Sequence, residues 1–150
     1  MCKGYGEMND KIIICMAICK KGKYLFTGKE DGGLVQWDIC QQKMYKDFGI
    51  IKKGVIMCMV ISIDGKYLFM GNCEGGLLQW DLEMEVLVGN FANVSSGFMM
   101  MMDVDLKGGF LYMGDIYGKL KKWSVDEKKV SEDFGEVHKG WISGVKLMYI

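Results

Sequence analysis

The side chains able to do chemistry are few and widely spaced. His138 is the single histidine in 150 residues, and there is no arginine. Six cysteines stand at Cys2, Cys15, Cys19, Cys40, Cys58 and Cys73. A zinc site needs Cys or His ligands in closely paired spacings; here no Cys-x-x-Cys pair exists, and one histidine cannot complete a finger. Asp103 and Asp105 lie at i, i+2, which puts two carboxylates on one face of a strand, an arrangement suited to acid–base work. Enzymatic chemistry needs convergent titratable groups, a nucleophile with its base, or a metal, and little of that material is present. The composition predicts a protein that is not an enzyme, with no catalytic residue, no cofactor and no metal.

The bulk numbers narrow the partners. Nineteen lysines balance nineteen acidic residues, so the net charge is zero. Nucleic acid or an anionic membrane would call for a basic patch. Lys52-Lys53 and the KLKK run at 119–122 are short and read as solvated strand edges. No apolar run reaches the length of a membrane span, and the N-terminal MCKGYGEMND lacks a secretory apolar region. Cys15 and Cys58 lie in apolar stretches and read as small core residues in a reducing compartment. The expected setting is intracellular, cytoplasmic or cytoskeletal, with no nucleic-acid and no membrane partner.

The elements that must position these side chains repeat. Trp37, Trp80 and Trp123 stand 43 residues apart, each closing a related stretch: GKYLFTGKEDGGLVQWDI, GKYLFMGNCEGGLLQWDL and GGFLYMGDIYGKLKKWSV. Each period opens with an apolar run (IIICMAI, VIMCMVI, FMMMMDV). A glycine turn, an aromatic-rich strand, a second glycine turn and the strand ending in tryptophan follow. A fourth, more variable strand ends at Phe48, Phe91 and Phe134. Four short strands with glycine-bearing turns, in tandem, predict four-stranded antiparallel sheets that bury their apolar faces against one another. Helices are excluded by the recurring glycines and by runs too short and too β-branched or aromatic to sustain them. In the repeat register Asp103 and Asp105 correspond to Val60/Ser62 and Ala17/Cys19, so the paired carboxylates belong to one turn and not to a shared site.

On these residues the chain resembles the WD-repeat β-propeller family over essentially its full length. Trp37-Asp38 and Trp80-Asp81 match the family's closing Trp-Asp, and Trp123-Ser124 departs at the second residue. Asp31-Gly32 matches its second turn, Glu74-Gly75 comes close, and Tyr117-Gly118 does not. His138 holds the family's histidine position, where Asn9, Lys52 and Ser95 stand in the other repeats. The resemblance implies a His–Asp–Ser/Trp hydrogen-bond network within each blade, here only partly available. Asp31 can accept from Asn9, whereas Tyr117 offers no carboxylate. Blades held by packing more than by polar clamps are expected.

The fold expectation is an all-β arc of three four-stranded blades with an extra inner strand. The register divides the chain into an outer-strand tail (1–10), blade 1 (11–49), blade 2 (50–92), blade 3 (93–136) and the start of blade 4 (137–150). The inner strand of that fourth unit is expected from Trp141 to Met148. Propellers close with about four to eight blades, so the register points to a segment of a longer propeller, or to a piece completed by a multi-protein assembly. Two copies joined end to start would leave a fourth blade without its two middle strands. The resemblance implies a non-catalytic interaction platform for other proteins or peptides, with a structural part in a large assembly or filament as the alternative. By position, the partner-binding face comprises Asp10, Lys11, Lys29, Glu30, Lys52, Lys53, Asn72, Asp115, Lys139 and Trp141, alongside Cys73, Ser96, Gly97 and Ile116. Trp141 stands out as a rim aromatic.

Overall fold

A computed structural model describes residues 11–19 and 21–148; the expected outer-strand tail, with Asn9 and Asp10, lies outside the described residues. Twelve strands make three sheets. The first, blade 1, contains β1 (Ile13–Ile18), β2 (Tyr24–Lys29), β3 (Gly33–Asp38) and β4 (Lys43–Ile50). Blade 2 contains β5 (Ile56–Ile61), β6 (Tyr67–Asn72), β7 (Leu77–Asp81) and β8 (Val86–Phe91). Blade 3 contains β9 (Met99–Val104), β10 (Phe110–Asp115), β11 (Lys119–Ser124) and β12 (Lys129–Glu136). Every sheet pairs its strands in chain order and antiparallel. The outer strands β4 and β12 run two residues past the phenylalanine expected to end them.

The hairpin after each tryptophan shows what the residue following it does. Asp38 Oδ1 accepts from Gln41 N at 2.8 Å, and Asp81 Oδ1 from Glu83 N and Met84 N at 2.9 and 2.8 Å. In the third repeat Ser124 Oγ accepts from Glu127 N at 3.1 Å, so a hydroxyl replaces the carboxylate as the turn's acceptor. Each turn is completed by a residue with positive φ: Gln42 (52°), Glu85 (57°) and Lys128 (55°). All three carry side chains where glycine or asparagine is the comfortable choice.

Blades pack face to face through a glycine on each second strand. A Cβ on Gly28 would lie 2.9 Å from Ile56 Cγ2, and one on Gly71 would lie 2.5 Å from Met99 Sδ. Gly114 meets Ile142 in the same way. The knobs Ile56, Met99 and Ile142 are 43 residues apart, as are their sockets. A register shift between Ile56 and Cys58, repeated between Ile13 and Cys15, turns the knob toward the preceding blade and the thiol toward the following one. Around each knob a cluster forms. Phe26 and Leu34 of blade 1 join Ile56, Met59, Ile61, Leu68 and Trp80 of blade 2. Phe69 and Leu77 of blade 2 join Met99, Met102, Val104, Leu111 and Trp123 of blade 3. Phe48 lies edge-on to Trp80 at 5.2 Å, and Phe91 lies 4.9 Å from Trp123. The outer-strand phenylalanine of one blade thus closes over the tryptophan of the next.

Two thiols bridge the same seams. Cys15 Sγ–H donates to Ile56 O and Cys58 Sγ–H to Met99 O, each at 3.3 Å. Burial pushes the Cys15 thiol up to about 12, against a smaller opposing pull from the Gly28 backbone. Burial also raises Cys58, and Cys15 adds to it. Polar clamps are sparser. Trp37 Nε1 donates to Thr27 Oγ1 at 2.9 Å, but Met70 occupies the corresponding place in blade 2, and Trp80 Nε1 is buried with no partner among the described residues.

Residues 141–148 occupy the place of a fourth inner strand but carry no ladder. Ile142 is buried in the Gly114 socket and its amide donates to Asp115 O at 3.1 Å, while Leu147 N donates to Asp103 Oδ2 at 2.8 Å. The departure from the expected strand has a physical reason. An inner strand pairs with the second strand of its own sheet, and a neighbouring blade offers it side chains and not a row of backbone partners.

Three outcomes follow from these seams and turns. Lys128→Gly relieves a left-handed residue and raises stability by about 0.5–1 kcal/mol, read as a higher denaturant midpoint at unchanged slope. In native protein at neutral pH, alkylating reagent modifies exposed Cys40 first and part-buried Cys15 more slowly, while buried Cys58 reacts only after unfolding. Because the folded Cys15 thiol holds its proton up to about 12 whereas an unfolded one loses it near 9.0, stability falls as pH rises between those values. Serine in place of Cys15 removes that part of the slope.

Candidate interaction surface

The loops leading into the inner strands and the turns between second and third strands come together at one end of the arc. Glu30 N donates to Ile12 O at 3.1 Å, Cys73 N to Val55 O at 3.2 Å, and Ile116 N to Phe98 O at 3.1 Å. Each such turn also reaches the following inter-blade loop. Ile51 N donates to Gly32 O (3.1 Å), Ser95 N to Gly75 O (2.9 Å) and Val137 N to Gly118 O (2.9 Å). The turn glycines have φ of +91°, +76° and +78°, and a Cβ on any of them would run into the carbonyl of Lys52, Ser95 or His138. Glycine at this position therefore satisfies two constraints at once, a left-handed backbone and a close backbone approach.

The ten residues expected on this face divide in two. Lys11, Lys53, Lys139 and Trp141 are exposed, while Glu30 and Lys52 are partly so. Glu30 Oε1 accepts from Ile12 N at 3.4 Å, and Lys52 Nζ donates to Asn90 Oδ1 at 3.1 Å. Lys29, Asn72 and Asp115, by contrast, are buried. They end the second strands beneath the turns and are not presented to a partner as expected; Asn72 and Asp115 bond to the turns and brace the face, while Lys29 packs against Gly33. Asn72 Oδ1 accepts from Glu74 N and Gly76 N at 3.0 and 2.8 Å. Asp115 Oδ1 accepts from Tyr117 N and Lys119 N at 2.9 and 3.0 Å, and its Oδ2 accepts from Ser95 Oγ–H at 2.9 Å. Asp10 lies outside the described residues.

Asp115, expected on this face as a contact residue, is instead the acceptor of the blade 3 clamp. The family's acceptor was sought at Tyr117, but the clamp is built two residues earlier, with Ser95 donating from the histidine position. The signal was present as Asn72-x-x-Gly75 and Asp115-x-x-Gly118, an Asx residue three before the wedge glycine in two repeats. Asp31 instead accepts from Gly33 N of its own turn at 2.9 Å.

The remaining chemical candidates serve backbone. Asp103 receives Leu147 N and lies 3.8 Å from Lys146 Nζ, while Asp105 Oδ1 accepts from Phe110 N at 3.0 Å. The pair does not converge. A hollow of about 330 Å³ beside the inner strands is walled by Met16, Met59, Met101, Met102 and aliphatic neighbours, with Asp103 and Lys146 as its charged groups. Among the described residues no three His, Cys, Asp or Glu side chains gather as metal ligands.

The clamp yields a graded expectation. Asp115→Ala strands two turn amides and the Ser95 hydroxyl and costs about 3 kcal/mol of stability. Asp115→Asn keeps the turn in the manner of Asn72 and costs about 1 kcal/mol or less, both values measured by chemical denaturation.

No protein-family model matches the chain, and no curated protein matches it. Among solved structures it is similar to a crystal structure of RRP9 WD40 repeats, with a TM-score of 0.79 at 19% identity. A structure of U3-55K gives the same values, and a Kuenenia stuttgartiensis hydrazine synthase gives 0.68 at 17%. The first two superpositions cover 89% of this chain and 42% of the other, so the chain spans about two fifths of the length of those proteins. The third covers 79% and 36%. With three four-stranded antiparallel sheets and no helix among the described residues, the chain has the fold of WD40-repeat β-propeller blades.

Proposed function

We propose that the chain is a non-catalytic protein-interaction platform that receives an acidic polypeptide segment on the face formed by its inter-blade loops. One observation carries the reading. Backbone bonds, wedge glycines and the buried Lys29/Asn72/Asp115 series hold three loop clusters in one rigid surface, and that surface turns Lys11, Lys52, Lys53 and Lys139 outward beside a largely exposed Trp141. Prepaid ordering of loops is what lets a modest surface bind, because less entropy is lost on contact. A lysine-lined rim with one aromatic anchor suits a carboxylate-bearing peptide, while zero net charge removes long-range attraction to nucleic acid. A shallow recess of about 70 Å³ between Lys52, Glu74, Gly76, Ala92 and Asn93 offers a seat for one small side chain.

The fold supports a binding role in general terms, and the finer reading rests on this chain's own rim. A structural part in a large assembly is the alternative, and the exposure of Ile13, Met16 and Ile18 on blade 1 among the described residues agrees with it. An intracellular, reducing setting agrees with the free thiols of buried Cys58 and part-buried Cys15, Cys19 and Cys73.

Selection of a displayed peptide library on the full chain tests the proposal. The selected peptides are acidic, and their affinity falls about 30-fold with Trp141→Ala and at least tenfold with Lys52→Glu/Lys53→Glu, with circular dichroism unchanged. Peptides that bind all variants alike would refute the assigned face.

A further inference from the structure

Each blade ends in an outer strand with no further strand beside it among the described residues. Such an edge is a row of unpaired backbone groups, which folded proteins blunt with charge and with bulges. β4 and β12 use both devices. β4 carries Lys43, Lys46 and Asp47, and β12 carries Lys129, Glu132, Asp133 and Glu136. Each also has two register shifts against its neighbour. One of the two lies at an Asp-x-Gly step, where Asp47 Oδ1 accepts from Gly49 N and Asp133 Oδ1 from Gly135 N, both at 2.8 Å, and both glycines have φ of +68°. β8 (VLVGNF) holds no charged residue. Asn90 and Ala92 stand where that aspartate and glycine would be. Asn90 Oδ1 accepts from Lys52 Nζ at 3.1 Å instead, and β8 stays in continuous register with β7 from Leu77↔Phe91 to Gln79↔Gly89. A single shift remains, beside Trp80. Val86 and Val88 are 46 and 43% exposed. Blade 2 is flanked by a blade on either side, so the exposure of this edge comes from its place at the rim of the sheet.

We propose that β8 pairs antiparallel with β8 of a second copy of this chain about a two-fold axis, joining two four-stranded blades into one continuous sheet. The occupant follows from the charge pattern. An axis between Val88 and Gly89 sets Val86 opposite Phe91 and Leu87 opposite Asn90, so every facing pair is uncharged. Glu85, just ahead of the strand, is already paired with Lys46 of blade 1. An acidic segment of the kind received on the loop face finds no cation on β8, whereas an uncharged strand finds nothing to repel it. The contact joins like to like and uses the one unguarded edge of each copy, so it closes at two and does not propagate. A six-residue strand makes a small interface, and the affinity is correspondingly weak, with a Kd of about 10–100 µM.

Sedimentation equilibrium of the full 150-residue chain from about 5 µM to about 1 mM tests this. The expected result is a monomer–dimer equilibrium with no larger species. Amide hydrogen exchange, resolved by NMR at both ends of that range, slows with concentration in Val86–Phe91 and is unchanged in β4 and β12. Val86→Lys/Val88→Lys, a change on two exposed side chains, weakens dimerisation at least about tenfold with the circular dichroism spectrum intact. Trp141→Ala, which tests the loop face, leaves the dimer as it is. A chain monomeric throughout, a dimer that the double substitution leaves unchanged, or added protection confined to another strand overturns the proposal. Loss of the dimer with Trp141→Ala would overturn it too, by placing the contact on the loop face. Monomer alone would leave the β8 edge to an extended strand of a different protein.

Discussion

The distance between one blade and the next is set by a residue with no side chain. Gly28, Gly71 and Gly114 sit in the middle of their sheets, where glycine weakens a strand through entropy and lost packing. Each is nevertheless required, because the knob of the next inner strand occupies the space a Cβ would fill. Once the knob is seated, the rest of the seam is determined. The thiol beside it meets the carbonyl of the next strand, and the outer phenylalanine reaches the next tryptophan. The two core clusters are therefore inter-blade clusters: a single blade has no interior of its own, and stability grows by adding neighbours.

A second constraint acts at the loop face, where glycine serves a different end. Gly32, Gly75 and Gly118 lie beneath the carbonyl of the next inter-blade loop, and the loops are tied to them by backbone bonds. Polar side chains complete this arrangement unevenly. Blade 3 has the Ser95–Asp115 clamp, blade 2 has only the turn-forming Asn72, and Trp80 Nε1 goes unsatisfied where Met70 replaces Thr27. A buried indole donor without an acceptor costs about 1–3 kcal/mol, so blade 2 relies on the packing of Leu68, Met70, Leu78 and Phe48 around its tryptophan. Softness is tolerable there because blade 2 is covered on both flanks.

Much of this was legible in the residue order. The 43-residue spacing of the tryptophans and the glycine turns between them dictate four strands per unit, and the strands lie where the pattern put them. The loop face was harder. Positions 29, 72 and 115 look like solvated turn residues because lysine, asparagine and aspartate are polar. Their burial comes from the last pleat of the second strand, which points under the turn; a family template that sought its carboxylate at Tyr117 concealed it. The absence of a ladder from 141 onward has another reason. Apolar spacing reports which side of a segment will be covered, and Ile142 is indeed covered, but a strand also needs a backbone partner that spacing cannot supply.

That distinction between side-chain seats and backbone ladders bears on how an open arc behaves. Within a blade, the ladders are satisfied whatever lies alongside. Between blades there is no ladder, only isolated loop bonds and side chains, and the burial of those side chains depends on whether a neighbour is present. Ile13 and Ile56 are the same residue in the same local conformation, bonded to equivalent partners on β2 and β6. One is buried and the other is not. Fully burying a side chain of this size is worth about 1.5–3 kcal/mol, so the seated knobs Ile56 and Met99 carry much of the cohesion between neighbouring blades. At the far end Ile142 takes the same kind of seat in the Gly114 socket without a ladder of its own. Each seam is thus polar in the sense of having unlike sides, one offering a knob and one offering a glycine socket, so a segment is selected by register before it is selected by sequence.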